Sequence, residues 1–393
     1  MTDGGRAGAI GRWAATSALA VLLGSGCYLS HPRAASGEAR RSDAGALRDG
    51  GADSGPDAFL ATARDAQPRP LPRDAGTPLP MPCEDPQGVD LLLVLDDSGS
   101  IRPRDAQLRD RLRRLAHGLV RPQDRDRDGW EDWPRVTDLH FGVVSTSVHG
   151  TDFCDDTPDG RLVHRPATDI DGCRSDYPRF LTYTEGEHDP DRFALDTNCI
   201  AFGPRYGCTV EQPLEAMAKA LLPHDAPFTY IAGEPRGDTT NAGFLRDDSV
   251  LVVLFVGDED DCSVVDTNIF ERQDAGPRWA GRDAALPIQG CRLAHPGQLH
   301  SIERYASALR WLRPAHPERI VVGMIVGIAA EVVVTDPRGD IPSCFGAADF
   351  PQRMVDLARE LPTQSVLGSV CGLSELTFVN ALSERIASAA CPE

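Results

Sequence analysis

The chain has 393 residues, 41% hydrophobic and 25% charged, the composition of a globular protein long enough for one large domain or two ordinary ones. Its formal charge is −19 and only one of its 40 basic residues, Lys219, is a lysine, which argues against nucleic acid and anionic membrane surfaces as partners and favours cations and basic groups. No apolar run reaches the length of about 18 residues that a spanning helix needs.

The chain opens on a targeting pattern. Arg6 and Arg12 are followed by the apolar stretch Trp13 to Leu23 and then by the small-residue cleavage pattern Leu23-Gly24-Ser25-Gly26-Cys27, so residues 1–26 read as an export signal. The pattern resembles a bacterial lipobox, with Gly24 where a leucine is usual. That resemblance implies lipidation of Cys27 and anchoring at the outer membrane, on the cell surface or the periplasmic side; cleavage without lipidation is the alternative. Removing Cys27 from the count leaves Cys83, Cys154, Cys173, Cys199, Cys208, Cys262, Cys291, Cys344, Cys371 and Cys391, an even set that suits an oxidising compartment. Residues 27–82 are rich in Ala, Gly, Pro, Asp and Arg without amphipathic period, and read as a disordered tether with a reach of roughly 40 Å.

Folded sequence begins near Cys83. Val89 to Leu95 is a short apolar run of the kind buried on both faces of a parallel sheet. After the polar turn Asp96 to Ser100, Pro103 opens a helix with Leu108, Leu112, Leu115 and Leu119 on one face. Further buried strands are expected at Leu139 to Ser145, Val250 to Gly257 and Ile320 to Ile328, and helices at Val210 to Leu222, Leu299 to Leu312 and Leu373 to Ala389. This alternation predicts an α/β fold over residues 83–393, with a doubly wound, mainly parallel sheet flanked by helices.

In such sheets the ligand site lies beyond the carboxyl ends of the strands. Asp96, Ser98 and Ser100 follow the first strand in a DxSxS pattern, Asp258-Glu259-Asp260-Asp261 follows the Val250 strand, and Thr209 stands just before the expected helix at Val210. Hydroxyls and carboxylates without histidine or thiolate suit a hard cation such as Mg²⁺. These residues, in this order and context, resemble the von Willebrand factor type A domain with its metal-ion-dependent adhesion site, itself a Rossmann-like fold. The resemblance implies Mg²⁺, or Mn²⁺ or Ca²⁺ in its place, bound by Ser98 and Ser100 directly. Asp96 and Asp258 would ligate the ion or orient its waters, and Thr209 would approach in the ligand-bound state. An open coordination place then accepts an acidic side chain from a protein partner, with no nucleic acid involved and the membrane met only through the lipid anchor. The stretches Gly207 to Ala216 and Asp258 to Ser263 look like those of cysteine-rich, exported bacterial lipoproteins carrying this domain, and the resemblance brings no assigned reaction. A departure is Gly257-Asp258-Glu259, where Thr-Asp-Gly is usual; the extra acidic groups are expected to crowd the rim, drawing in a second cation or disfavouring acidic ligands.

The fold's excess length sits in His149 to Tyr206, Ser263 to His300 and Glu331 to Phe350, which read as disulfide-braced insertions, the first with a hairpin using Phe180 to Thr184. A local disulfide pairing is expected: Cys154 with Cys173, Cys199 with Cys208, Cys262 with Cys291, Cys344 with Cys371, and Cys83 with Cys391 clasping the ends. Asp124, Asp126 and Asp128, with Gly129 at the sixth place, form the start of a calcium loop, but Arg135 stands at the twelfth place, so the choice lies between a shorter calcium turn and a solvated acidic turn. Arg236-Gly237-Asp238 and Arg338-Gly339-Asp340 read as turns. Zinc-protease, nucleophile-elbow and P-loop motifs are missing, and His140 reads as an ordinary strand residue. Glu211 and Glu215 stand one turn apart, as paired acid and base or as a plain helix face. The sequence favours a binding protein over a structural envelope component whose site is vestigial, and both over a metal-assisted hydrolase.

Overall fold

Alternation in the first strand sets the architecture. In β1 (Val89–Leu95), Leu91, Leu93 and Leu95 face one apolar layer while Leu92 and Val94 face another, and every residue of the strand is buried. The computed structural model describes residues 78–148, 157–204, 210–230, 237, 239–265, 297–329, 333–344, 350–372 and 375–392, all within one compact unit, Pro70–Glu393. The remaining strands are β2 (Asp138–Ser145), β3 (Leu181–Thr184), β4 (Val250–Val256), β5 (Ile320–Val326) and β6 (Ser365–Ser369). They form a six-stranded sheet in the order β3-β2-β1-β4-β5-β6, parallel except for β3.

Helices cover both faces. On one side lie α1 (Asp105–Val120), α2 (Pro190–Ala201) and α6 (Glu375–Ala390), and on the other α3 (Pro213–Leu221), α4 (Ile302–Leu312) and α5 (Gln352–Glu360). With both faces covered, a strand such as β4 has no polar position to spare, which explains its unbroken run VLVVLFV. Each fully buried aliphatic side chain contributes roughly 1.5–3 kcal/mol. Among the described residues no helix is long and apolar enough to cross a membrane.

Several expectations are corrected. The segment Phe180 to Thr184 is not a hairpin of its own; Leu181–Thr184 pairs antiparallel with β2 and ends the main sheet. The helix expected at Val210 starts at Pro213, because proline presets the first helical turn and needs no amide partner there. A short 3-10 turn, Arg102–Arg104, precedes α1, which itself starts at Asp105 rather than Pro103.

Three disulfides lie wholly among the described residues. Cys83–Cys391 clasps the two ends and Cys344–Cys371 joins the β5 and β6 connections, both as expected. Cys173 bonds Cys199, not Cys154, and Cys199 therefore does not bond Cys208. The reason is packing: Cys199 is fully buried on the inner face of α2, and the loop bearing Cys173 folds over that helix to within 5.6 Å between Cα atoms. Cys262 is disulfide-bonded, while Cys154, Cys208 and Cys291 lie outside the described residues, as do Cys27, the signal segment and the tether through residue 77.

Candidate functional site

β1 and β4 are parallel neighbours, yet the chain leaves β1 towards β2 and leaves β4 towards β5. Their following loops diverge and open a crevice at the carboxyl edge. Leu95 and Val256 are paired in register, and the Asp96 amide donates to the Val256 carbonyl at 2.9 Å, so the two loops start side by side. Gly257 keeps this approach close. A Cβ on it would lie 3.2 Å from the Cβ of Asp96 and 3.4 Å from its carboxylate, crowding the residue at the floor of the crevice.

The DxSxS turn brings its own oxygens together. The Ser98 amide donates to Asp96 Oδ1 at 2.8 Å, the Ser98 and Ser100 hydroxyls are 2.8 Å apart, and Ser100 Oγ donates to Asp258 Oδ1 at 2.9 Å. Asp96, Ser98, Ser100 and Asp258 thus form one cluster, with Asp96 and Ser98 buried and Ser100 at the surface. Arg104 adds a charge that the sequence did not reveal: its Nη1 donates to Asp258 Oδ2 at 3.0 Å and to the Ser100 carbonyl at 3.2 Å. Thr209 lies outside the described residues.

The β2 loop supplies a third wall. Ser147 Oγ donates to Asp97 Oδ1 at 3.0 Å, and the Thr146 hydroxyl donates to Glu211 Oε2. Of the two readings of Glu211 and Glu215, a paired acid and base or a plain helix face, the shared helix face is corrected. Glu211 lies before α3 and is buried beside Asp96, whereas Glu215 lies inside α3 and accepts from the Tyr305 hydroxyl at 2.9 Å. Pro213 was the overlooked signal, since a proline at the first helical position puts Glu211 outside the helix.

Burial first, and the charge of Asp258 next, raise the Asp96 carboxyl to about 6 despite the Ser98 amide. Burial, then the neighbouring Asp96 and Asp97, push Glu211 well above the usual carboxylate range. Protons or a cation must relieve such a gathering of acidic groups, and hydroxyl and carboxylate oxygens match a hard divalent ion.

The rest of the acidic run behaves differently from expectation. Asp260 Oδ1 accepts the amides of Arg353 and Met354 in the first turn of α5, at 3.0 and 3.3 Å. Asp261 Oδ1 accepts the Leu214 amide in the first turn of α3 at 3.0 Å, and its other oxygen takes Arg353 Nε at 2.9 Å. Both side chains point inward to helix termini, so they do not crowd the rim.

Asp124, Asp126 and Asp128 converge, their nearest oxygens within 4.8 Å of one another. The Asp128 and Gly129 amides bond to Asp124 and the Trp130 amide bonds to Asp128, so the turn is closed by its own backbone. Arg338-Gly339-Asp340 lies in an exposed turn, and Arg236 and Asp238 fall outside the described residues. His140 bonds the Phe244 carbonyl from within β2.

No family model and no curated protein matches the chain. Solved structures that align with it include proximal thread matrix protein 1 from the mussel byssus, at 12% identity and a TM-score of 0.31, over 79% of this chain and 49% of that one. The PilB minor pilin from Streptococcus sanguinis aligns at 9% identity and a TM-score of 0.36, over 79% of this chain and 63% of that one. The pilus adhesin SpaC from Lactobacillus rhamnosus GG aligns at 11% and 0.36, over 77% of this chain and 31% of that one. The chain thus spans less than two thirds of each, and likenesses of this size define neither the family nor the function.

Proposed function

We propose that this is an exported, lipid-anchored binding protein whose folded part is a von Willebrand factor type A-like domain. Asp96, Ser98, Ser100 and Asp258 would hold a divalent cation, with Thr209 approaching it, and a partner's acidic side chain would complete the coordination. The observation that carries this reading is the meeting of the Ser98, Ser100 and Asp258 oxygens at the place where the sheet's strand order reverses. Ser98 and Ser100 contribute no formal charge, so the cation would keep Lewis acidity towards an incoming carboxylate. The disulfides support export, and Cys27 is the residue proposed to carry the lipid. Binding rather than catalysis is proposed, since the Ser98 and Ser100 hydroxyls are read as metal ligands and the resemblance brings no assigned reaction.

The Arg104–Asp258 ion pair favours a second reading, an envelope component in which the guanidinium replaces the metal. Calorimetric titration with Mg²⁺ and Mn²⁺ separates the two. The adhesion reading predicts one ion bound at the crevice by the wild type, lost in Asp96→Ala, and a melting temperature raised by several degrees at a hundredfold excess of ion over its dissociation constant. A wild type that binds neither ion favours the structural reading. Calcium at Asp124, Asp126 and Asp128 is a subsidiary proposal, and the same titration with Ca²⁺ and Asp126→Ala decides it, unchanged stoichiometry counting against it.

A further inference from the structure

We propose that Arg104 is a displaceable counter-cation, holding Asp258 in the metal-free protein and giving it up when a divalent ion binds, so that this arginine sets how tightly the crevice takes its ion; this rests on the metal-site reading above. Both oxygens of Asp258 are engaged: Oδ1 accepts from Ser100 Oγ at 2.9 Å and Oδ2 from Arg104 Nη1 at 3.0 Å. An ion would act differently on the two contacts. A serine hydroxyl that donates its proton still has lone pairs for a metal, so the bond from Ser100 to Asp258 is compatible with a bound ion. The guanidinium is not. It offers donors only, and its positive charge is repelled by a divalent ion at the same carboxylate.

The backbone on both sides is fixed, so the side chain of Arg104 is the part that moves. Arg104 ends the 3-10 turn Arg102–Arg104, its amide donates to the Ile101 carbonyl at 2.9 Å, and Ile101 is wholly buried. On the other side the Gly257 amide donates to the Ile325 carbonyl at 3.1 Å, which ties the start of the Asp258 loop to β5. The Arg104 side chain is 24% exposed against 8% for Asp258, so the guanidinium has a way to solvent while the carboxylate stays in the crevice. An ion pair this open to water is worth at most roughly a fivefold factor in an equilibrium constant. A divalent ion shared by several oxygens outweighs it.

The test is calorimetric titration of the full chain with Mn²⁺, for wild type and Arg104→Gln, alongside melting curves of both without metal and at saturating Mn²⁺. Removing the competing cation is expected to tighten Mn²⁺ binding by about three- to fivefold. The same variant is expected to melt below wild type without metal and level with it at saturation, because the contact it lacks is one that the loaded wild type has already given up. If Arg104→Gln does not fold, Arg104→Met takes its place with the same expectation. Equal or weaker Mn²⁺ binding by the folded variant, or a melting deficit that persists at saturation, overturns the role of Arg104 and leaves the metal site standing. An ion bound by the variant alone is the extreme of the same competition and supports it. No ion bound by either protein overturns both readings.

Discussion

Two acidic neighbours three positions or fewer from Asp258 serve opposite ends. Asp258 faces the crevice, and Asp260 and Asp261 turn back to the starts of α5 and α3. Their hydrogen bonds tie the β4 loop to two helices. His300 belongs to the same support. Its carbonyl accepts from Arg353 at 2.8 Å, and burial, followed by the charges of Arg304 and Arg353, lowers its imidazole to about 4. Because that value lies below the ordinary 6.5, the folded protein keeps His300 neutral where the unfolded chain would protonate it. The stability this contributes is fully present above about pH 6.5 and is lost as pH falls towards 4. Thermal melts from pH 7 to 4 are expected to show a smaller loss in His300→Asn than in wild type; equal slopes would contradict the assignment. Asp96, Ser98, Ser100 and Asp258 were legible in the sequence because each follows an apolar strand at once. Asp260 and Asp261 were not, since the helix termini they cap lie tens of residues away along the chain.

Lys219 is the one lysine of the chain. It lies wholly buried in α3, and its Nζ meets Asp159 Oδ1 at 2.6 Å, tying the helix to the loop after β2. Gly160, at φ +79°, follows Asp159, and a Cβ there would come within 2.4 Å of the Lys219 Cβ. The loop backbone therefore lies directly on the helix. Lys219→Met is expected to cost about 3–5 kcal/mol by removing the cation that faces the buried Asp159, measured as a lower midpoint in urea; a loss below 1 kcal/mol would show that the pair is dispensable. At this scale the strands buried on both faces were readable as apolar runs. Extended structure at Leu181–Thr184 was readable though its partner β2 was not, and β6 was not recognised because Ser365–Ser369 mixes serine and glycine with its aliphatics. Helix α5 was also missed, although its buried Met354, Val355, Leu357 and Ala358 recur at helical spacing.

Across the whole domain, two disulfides bracket the C-terminal helix. Cys371 sits just before α6 and bonds Cys344, while Cys391 follows its last residue and bonds Cys83 ahead of β1. The helix that closes the fold is thus stapled at both ends, to the segment before β1 and to the connection after β5, and in the chain-entropy model such a bridge stabilises by about 2–5 kcal/mol. Sheet order does the rest, because reversing direction after β3 sets β1 beside β4 and brings residues 96–100 to residue 258. Anomalous scattering from crystals grown with Mn²⁺ tests that convergence most directly. The account predicts one strong peak bounded by Ser98, Ser100, Asp258 and Asp96. A crevice with no peak, or Mn²⁺ found solely at the Asp124 to Asp128 turn, would contradict it.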